Sequence, residues 1–271
     1  MIYYQGIKGA YSYFVAEMVA EKMGMDLEKE VVGLESFRDV WAQIGDSDIG
    51  IIAVENSYAG SVHENFYNFL RYPDIKIIGE INLSINHSLL SKDTDIQNIK
   101  KVYAHPQALA QCYSFLKEHN MEAITYSDNA SAAKYVSEIG ESGKAAIASK
   151  KAGGIYGLNI LAEGIEDQEG NTTRFFLIVK ENFTKSLFEK KTKTTIIFET
   201  EDIPSALYKC LGAFATNHIN LKKIESLPSL KNPFTYTFWV DFEGNMDNEN
   251  TKKAMKELKF FTRFLKVLGE Y

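Results

Sequence analysis

Four short segments of this 271-residue chain place glycines or polar residues beside a predicted strand, where chemistry is possible. They are Tyr4–Ser12 (YQGIKGAYS), Ala53–Val62 (AVENSYAGSV), Ala104–Cys112 (AHPQALAQC) and Asn171–Phe176 (NTTRFF). In the first, two glycines before a helix start leave backbone N–H groups that could bind an anion. In the second, polar residues follow a buried strand, where open α/β sheets bind ligands.

Each segment taken alone also has an ordinary structural explanation. Strand, glycine turn and helix form a common connection, and Glu55 to Ser57 could be a capped turn. An isolated His105 is more often a helix cap or a surface residue. Thr173 is a common residue in strands, and Arg174 could be a surface charge.

The composition predicts a soluble globular protein rather than a nucleic-acid or membrane protein. The chain is 45% hydrophobic and 24% charged, with a net charge of −6. It has neither an apolar run long enough to span a membrane nor an export leader, so we expect a cytoplasmic location. Cys112 and Cys210 are expected to be packed thiols. The five histidines lack metal-ligand spacing, so neither a metal nor another cofactor is expected.

Short apolar runs alternate with helical periodicity through the first 180 residues, which predicts an α/β fold. The predicted strands are Ile49–Val54, Ile75–Ile81, Lys101–Ala104, Ala123–Tyr126, Ala145–Ala148 and Phe175–Val179. The predicted helices are Asn65–Leu70, Pro106–His119 and Ala130–Ile139. Residues 181–193 are polar and charged and are expected to be a linker. From 194 to 271 the order of elements is βαββαβ, which predicts a ferredoxin-like domain.

Together these segments resemble the prephenate dehydratase family. The matching motifs occur in family order and include YQGIKGAYS, ENSYAGSV, NHSLL, AHPQALAQC, DNASAA and NTTRF. The 194–271 unit resembles an ACT domain. The resemblance implies a catalytic region (1–180) of two lobes of the type II periplasmic-binding-protein kind. Lobe one would combine about 1–77 with 160–180, and lobe two would be about 78–159.

The family reaction converts prephenate to phenylpyruvate, carbon dioxide and water without a cofactor. Hydroxide is a poor leaving group, so a proton or strong hydrogen bond must reach it. The resemblance assigns this donation to Thr173, with Glu55 (if burial keeps it protonated) or His105 supplying the proton. Arg174 would bind the pyruvyl carboxylate or form a structural ion pair. The other expected substrate-binding residues are Gly6, Ser12, Asn56, Ser57, Gly60, Ser61, Asn171, Thr172 and Phe175.

The ACT resemblance implies feedback inhibition by L-phenylalanine and assembly as a homodimer or homotetramer. The expected effector residues are Ala206, Leu207, Asn217, Asn220, Glu225, Ser226, Leu227 and Pro228. Two of the usual motif residues differ here: Ser205 stands where the family has glycine, and Leu227 where it has arginine. An altered response to phenylalanine is therefore the alternative.

Two other functions remain open at this point. Arogenate dehydratase carries out the same ring chemistry on a substrate with an amino acid side chain, and these residues do not separate the two substrates. The other alternative is a non-catalytic cytoplasmic amino-acid sensor. No chorismate mutase region is expected before Tyr3.

Overall fold

The computed structural model describes residues 1–184, 187, 190–229 and 235–271, which form fifteen β-strands and ten α-helices. The strands are β1 (Ile2–Gln5), β2 (Val31–Leu34), β3 (Ile49–Asn56), β4 (Gly60–Ser61), β5 (Ile75–Ser84), β6 (Ser88–Ser91), β7 (Lys101–Ala104), β8 (Glu122–Thr125), β9 (Lys144–Ala148), β10 (Asn159–Glu163), β11 (Thr172–Lys180), β12 (Lys193–Thr200), β13 (Leu221–Pro228), β14 (Tyr236–Glu243) and β15 (Thr262–Glu270). The helices are α1 (Tyr11–Met23), α2 (Leu27–Glu30), α3 (Phe37–Gln43), α4 (His63–Arg71), α5 (Pro106–Gln111), α6 (Tyr113–Glu118), α7 (Asn129–Ile139), α8 (Lys150–Tyr156), α9 (Ala206–Thr216) and α10 (Glu249–Leu258).

The chain forms two compact units, Met1–Tyr72 with Ile81–Leu177, and Pro73–Glu80 with Ile178–Tyr271. It passes from one unit to the other three times, between Tyr72 and Pro73, within β5 and within β11. No helix among the described residues is long and apolar enough to cross a bilayer.

The first unit contains two sheets. In one, β11, β3, β1 and β2 lie side by side, with β1 parallel to both β2 and β3. In the other the order is β10-β6-β9-β7-β8, and β7 is parallel to both β8 and β9. Ile49, Ile51 and Ile52 of β3 are at most 1% exposed, as expected for a parallel strand covered on both faces. The α/β fold with two lobes expected from the resemblance is confirmed.

The second unit contains the βαββαβ element order, which is also confirmed. Its strands lie in the order β13-β14-β12-β15, with antiparallel pairing throughout. Helices α9 and α10 contribute Phe214 and Leu258 to a core with Phe198 and Phe242 of the sheet. At Gly269, a Cβ atom would lie 2.1 Å from the Ile77 carbonyl oxygen, so only glycine fits where β15 meets β5.

One predicted helix is wrong in extent, because Pro106–His119 is two helices separated by Cys112. The backbone there has φ −113° and ψ 21°. Asp167 replaces the missing helical bonds: its N–H donates to the Gln111 carbonyl oxygen, and its carboxylate accepts from the Ser114 N–H. This partner lies more than fifty residues away, so local periodicity could not reveal the break.

The expected linker is only partly covered by the described residues, since Lys185, Ser186, Phe188 and Glu189 lie outside them. Within its described part, Phe183 and Leu187 are 7% and 8% exposed, which a solvated connector would not require.

Candidate active site

A cavity of about 260 Å³ lies in the first unit, where strands end and helices begin. Its walls come from residues at or just after the ends of β1, β7, β8 and β9 and from both β3 and β11. This is the edge at which open α/β sheets bind ligands. The lining residues are Gln5, Gly9, Ala10, Tyr11, Ser12, Phe37, Ala53, His105, Gln107, Asp128, Asn129, Ala130, Ser149, Thr173 and Phe175.

Two helices begin at the wall of this cavity. The thirteen-residue α1 begins at Tyr11, and its N-cap Ala10 makes no side-chain cap bond. The eleven-residue α7 begins at Asn129, behind the N-cap Asp128. Backbone N–H groups and the helix dipole favour negative charge at such ends. None of the lining residues is Lys or Arg. Carboxylates would therefore be bound by dipoles rather than by a cation.

Thr173 and Asn56 meet at the wall of this cavity. The Nδ2 group of Asn56 donates to the Thr173 hydroxyl oxygen over 3.0 Å. No described residue accepts the Thr173 hydroxyl proton, which leaves that proton for a bound molecule. The pair is half-buried, so a substrate that fills the cavity would exclude water from this hydrogen bond.

The residues around Asn56 hold its strand end against β11. Ser57 and Thr172 form two hydrogen bonds. The Ser57 N–H donates to the Thr172 carbonyl oxygen (2.9 Å), and the Thr172 N–H donates to the Ser57 hydroxyl oxygen (3.0 Å). Gly60 and Ser61 form β4, which pairs with Asn56 and Glu55 in a short hairpin. These residues position Asn56 and do not line the cavity.

Glu55 and Arg174 lie apart from the cavity and contact each other. Their Oε2 and Nη1 atoms are 3.7 Å apart, and the Arg174 guanidinium lies 4.6 Å from the centre of the Phe176 ring. Side chains alternate along a strand, so Thr173 and Phe175 face the cavity while Arg174 faces away. The geometry favours the structural ion pair over the substrate contact for Arg174.

His105 does line the cavity. It caps α5, and its Nδ1 atom accepts from the Gln107 N–H over 3.3 Å, so the proton of the neutral ring lies on Nε2. Ser12 also lines it, with its hydroxyl donating to the Gln5 carbonyl oxygen. The Gly6 N–H donates to the Leu34 carbonyl oxygen over 2.7 Å and is not available to a ligand.

A second cavity of about 420 Å³ adjoins the same residues. Its lining is Tyr58, Ala59, Gln107, Ala110, Gln111, Glu166, Asp167, Gln168 and Asn171. The two cavities share Gln107, whose Nε2 donates to the Asn56 Oδ1 over 3.3 Å. Asn171 contributes its Oδ1, which accepts from the Asn56 Nδ2 over 2.6 Å.

Gln107, Gln111 and Asp128 were not among the expected site residues. All three belong to motifs that carry the resemblance. Gln107 and Asp128 lie three residues after the ends of strands, whereas Gln111 is the last residue of α5. For Gln107 and Asp128, the position just after a strand was the feature of the sequence that could have identified them as site residues. Their side-chain direction required the tertiary structure.

The expected effector residues do not converge on one point of a single chain. Ala206 and Leu207 begin α9 and Asn217 follows it, about 16 Å away at the helical rise per residue. Asn220 precedes β13, and Ser226 to Pro228 end it. Asn217 and Asn220 donate to Glu257 and Glu243, and Leu227 is 2% exposed. Glu225 forms an ion pair with Lys223 at 3.0 Å.

Among the described residues, no group of three histidine, cysteine, aspartate or glutamate side chains is placed to hold a metal ion.

Comparison with known proteins gives the family. The prephenate dehydratase family model matches residues 2–183. Prephenate dehydratase from Methanocaldococcus jannaschii is 39% identical over 265 residues, covering 97% of this chain and 95% of its own length. Arogenate dehydratase/prephenate dehydratase 2 from Arabidopsis thaliana is 39% identical over 283 residues, covering 99% of this chain and 71% of its own.

Solved structures agree over the whole length. Prephenate dehydratase from Arthrobacter aurescens in complex with L-Phe has a TM-score of 0.81 at 26% identity, covering 100% of this chain and 89% of its own. GqqA, described as a novel type of quorum quenching acylase, has a TM-score of 0.84 at 30% identity, covering 100% and 97%. With the family model matched across the region that holds Thr173 and Asn56, this chain belongs to the prephenate dehydratase family of lyases.

Proposed function

We propose that this chain converts prephenate to phenylpyruvate, carbon dioxide and water. The observation that carries the proposal is the Thr173 hydroxyl at the cavity wall. Its oxygen accepts a hydrogen bond from Asn56, and no described residue accepts its proton.

In the proposed step, the bond between the ring and its carboxylate breaks, and carbon dioxide leaves. The electron pair enters the ring, which becomes aromatic, and the hydroxyl across the ring departs. Thr173 donates its proton toward that oxygen, and the Asn56 N–H stabilises the charge that develops on the Thr173 oxygen. One proton taken up by the leaving hydroxyl completes the water.

His105 is the better candidate to supply that proton. It lines the same cavity as Thr173. It would supply the proton as the imidazolium, in which Nδ1 is also protonated and the contact with the Gln107 N–H is released, and it would return to the neutral ring afterwards. A threonine hydroxyl is too weak an acid to act without such a source. Glu55, the other candidate considered from the sequence, is paired with Arg174 instead.

A substrate carboxylate would bind at the start of α1, whose N-cap Ala10 makes no side-chain cap bond, because the Asp128 carboxylate already caps α7. Binding by dipoles suits this reaction, because a cation held against the departing carboxylate would stabilise the ground state more than the transition state. The absence of Lys and Arg from the cavity lining supports this arrangement.

Arogenate is the second candidate substrate, and Asp128 is the observation in its favour. Arogenate carries an ammonium group where prephenate has a ketone. The Asp128 carboxylate lines the cavity and could bind that ammonium group. We do not propose acylase activity, because no described side chain lies within hydrogen-bond distance to act as a base on the Thr173 proton.

L-Phenylalanine is the proposed effector, bound by the second unit, and the proposed assembly is a homodimer or homotetramer. Support comes from the ACT resemblance and from the Arthrobacter aurescens structure solved with L-Phe. The separation of Ala206 from Asn217 along α9 is compatible with a site completed by a second chain. The cytoplasmic location stays a prediction.

The test is turnover of prephenate and of arogenate by the purified protein, with and without phenylalanine. We expect phenylpyruvate from prephenate and its loss in Thr173→Ala. A folded protein that binds both substrates and converts neither would refute catalysis and leave the sensor function. Turnover unaffected by phenylalanine would refute the effector assignment alone.

A further inference from the structure

His87 is a buried histidine that lines neither cavity. It is 2% exposed, and its backbone N–H donates to the Glu166 Oε2 over 3.0 Å. The ring Nε2 lies 2.9 Å from the Gln111 Oε1, and the Tyr11 ring packs edge-on at 6.4 Å. Its role follows from a chain of side-chain amides that begins at Asn56.

Two backbone donors fix the orientation of the Asn56 amide. The N–H groups of Tyr58 and Ala59 each lie 3.0 Å from the Asn56 Oδ1. A backbone N–H can only donate, so the atom that it contacts is the amide oxygen. The Asn56 Nδ2 group is therefore the one that faces Thr173 and Asn171.

Each following amide takes its orientation from the one before it. The Asn56 Nδ2 lies 2.6 Å from the Asn171 side chain, which must present Oδ1 there and direct Nδ2 to the Gln111 Oε1, at 3.2 Å. The Gln111 oxygen is then an acceptor on both sides. His87 Nε2 must consequently carry a proton to bond with it.

The other ring nitrogen of His87 favours the neutral state. Nδ1 is buried without a hydrogen-bond partner among the described residues. A proton there would bury a charge with no acceptor. Burial lowers the pKa of His87, against smaller opposite effects of the Gln111 hydrogen bond and the Glu166 charge.

We propose that neutral His87 is a positioning residue for the reaction, whose Nε2–H holds Gln111 and, through Asn171 and Asn56, the hydrogen bond to the Thr173 oxygen. The inference rests on the role proposed above for Thr173. Without the His87 donor, the Gln111 oxygen keeps only the hydrogen bond from Asn171, so the Gln111 side chain is held at one point instead of two. The Asn171 oxygen that accepts from Asn56 is then held less rigidly, which loosens the position of the Asn56 NH₂ group that faces Thr173.

Two matched variants separate this role from simple core packing. In His87→Gln the amide nitrogen reaches about where the imidazole Nε2 lies, whereas in His87→Asn it reaches only about as far as Nδ1. Loss of one buried hydrogen bond corresponds to roughly a ten-fold fall in kcat. We expect that fall in His87→Asn, and a kcat within about three-fold of wild type in His87→Gln. KM should stay within about two-fold in both, because His87 lines neither cavity. Equal loss in the two variants, or none in His87→Asn, would overturn the proposal.

A spectroscopic test needs no turnover and so separates this proposal from the proposed function. Nitrogen NMR of protein labelled at its five histidines, with the His87 signals identified by their absence in His87→Gln, reports which ring nitrogen is protonated. The expected pattern at pH 7 is a protonated Nε2 and an unprotonated Nδ1. A proton on Nδ1, alone or with Nε2, would sink the proposal even if Thr173 proves catalytic.

Discussion

Asn56 and Thr173 lie 117 positions apart in sequence, yet their side chains meet, with 3.0 Å between the Asn56 Nδ2 and the Thr173 Oγ1. Asn56 ends β3 and Thr173 is the second residue of β11. Because Asn56 donates, the threonine oxygen is an acceptor, and its own proton is directed elsewhere. The pair therefore leaves the Thr173 O–H group available to donate to a molecule in the cavity.

The Thr173 hydroxyl can be removed with little change in shape. Thr173→Val replaces the hydroxyl by a methyl group, and loss of the donor should lower kcat by about 100-fold or more. Thr173→Ser keeps the hydroxyl and should retain activity within about ten-fold. Phenylpyruvate formation measures both. Comparable activity in the valine and serine variants would show that the hydroxyl is not the donor.

Replacing Arg174 by a neutral residue distinguishes a structural ion pair with Glu55 from a contact with a substrate carboxylate. The Arg174 side chain is 13% exposed and pairs with Glu55. If this pairing is structural, Arg174→Met should lower the unfolding free energy by about 1 kcal/mol. The KM for prephenate should then change by less than about two-fold. Urea denaturation and steady-state kinetics provide the two readouts. Glu55→Gln is the control and should reproduce the stability loss. A KM raised ten-fold or more in Arg174→Met alone would restore the substrate contact.

Asp128 permits a test of substrate preference that leaves its helix cap in place. Its Oδ1 accepts from the Ser131 N–H over 2.8 Å, and asparagine caps helices about as well as aspartate. Asp128→Asn should lower kcat/KM for arogenate by about ten-fold or more while changing that for prephenate by less than about three-fold. Parallel assays of the two substrates give the ratio. An unchanged ratio would exclude Asp128 as the ammonium partner.

Ser205 adopts a left-handed conformation, with φ 64°, at the N-cap of α9, and it makes no side-chain cap bond. Glycine adopts this conformation without the clash of a Cβ atom. Ser205→Gly should therefore raise the unfolding free energy by about 1 kcal/mol. Thermal and urea denaturation measure the change.

Gly140, at φ 60° after α7, is the reverse control, because Gly140→Ala adds a Cβ in the same backbone region and should destabilise the protein by a similar amount. A less stable Ser205→Gly variant would show that the serine side chain contributes to the fold.

Sequence by itself determined the family, the α/β class of the first region and the βαββαβ order of the second. Such features depend on local patterns: apolar runs like Ile49–Val54, glycine turns and motifs in a fixed order. The predicted start of the long strand Ile75–Ser84 agrees with the structure, whereas the predicted start of Thr172–Lys180 lies three residues late, because its first three residues are polar. Short strands such as Val31–Leu34 and Ser88–Ser91 carry too few residues to show a period and were missed.

Tertiary structure alone decided which polar side chains meet. Thr173 and Arg174 are adjacent in sequence, yet one faces the cavity and the other Glu55, because side chains alternate on a strand. His87 and Gln111 were visible in the motifs, but the bond between them, and the proton position that it requires, depends on strands and loops brought together from distant parts of the chain. A hydrogen bond requires its two atoms to lie about 3 Å apart. The sequence does not show which side chains come that close when they are dozens of residues apart along the chain.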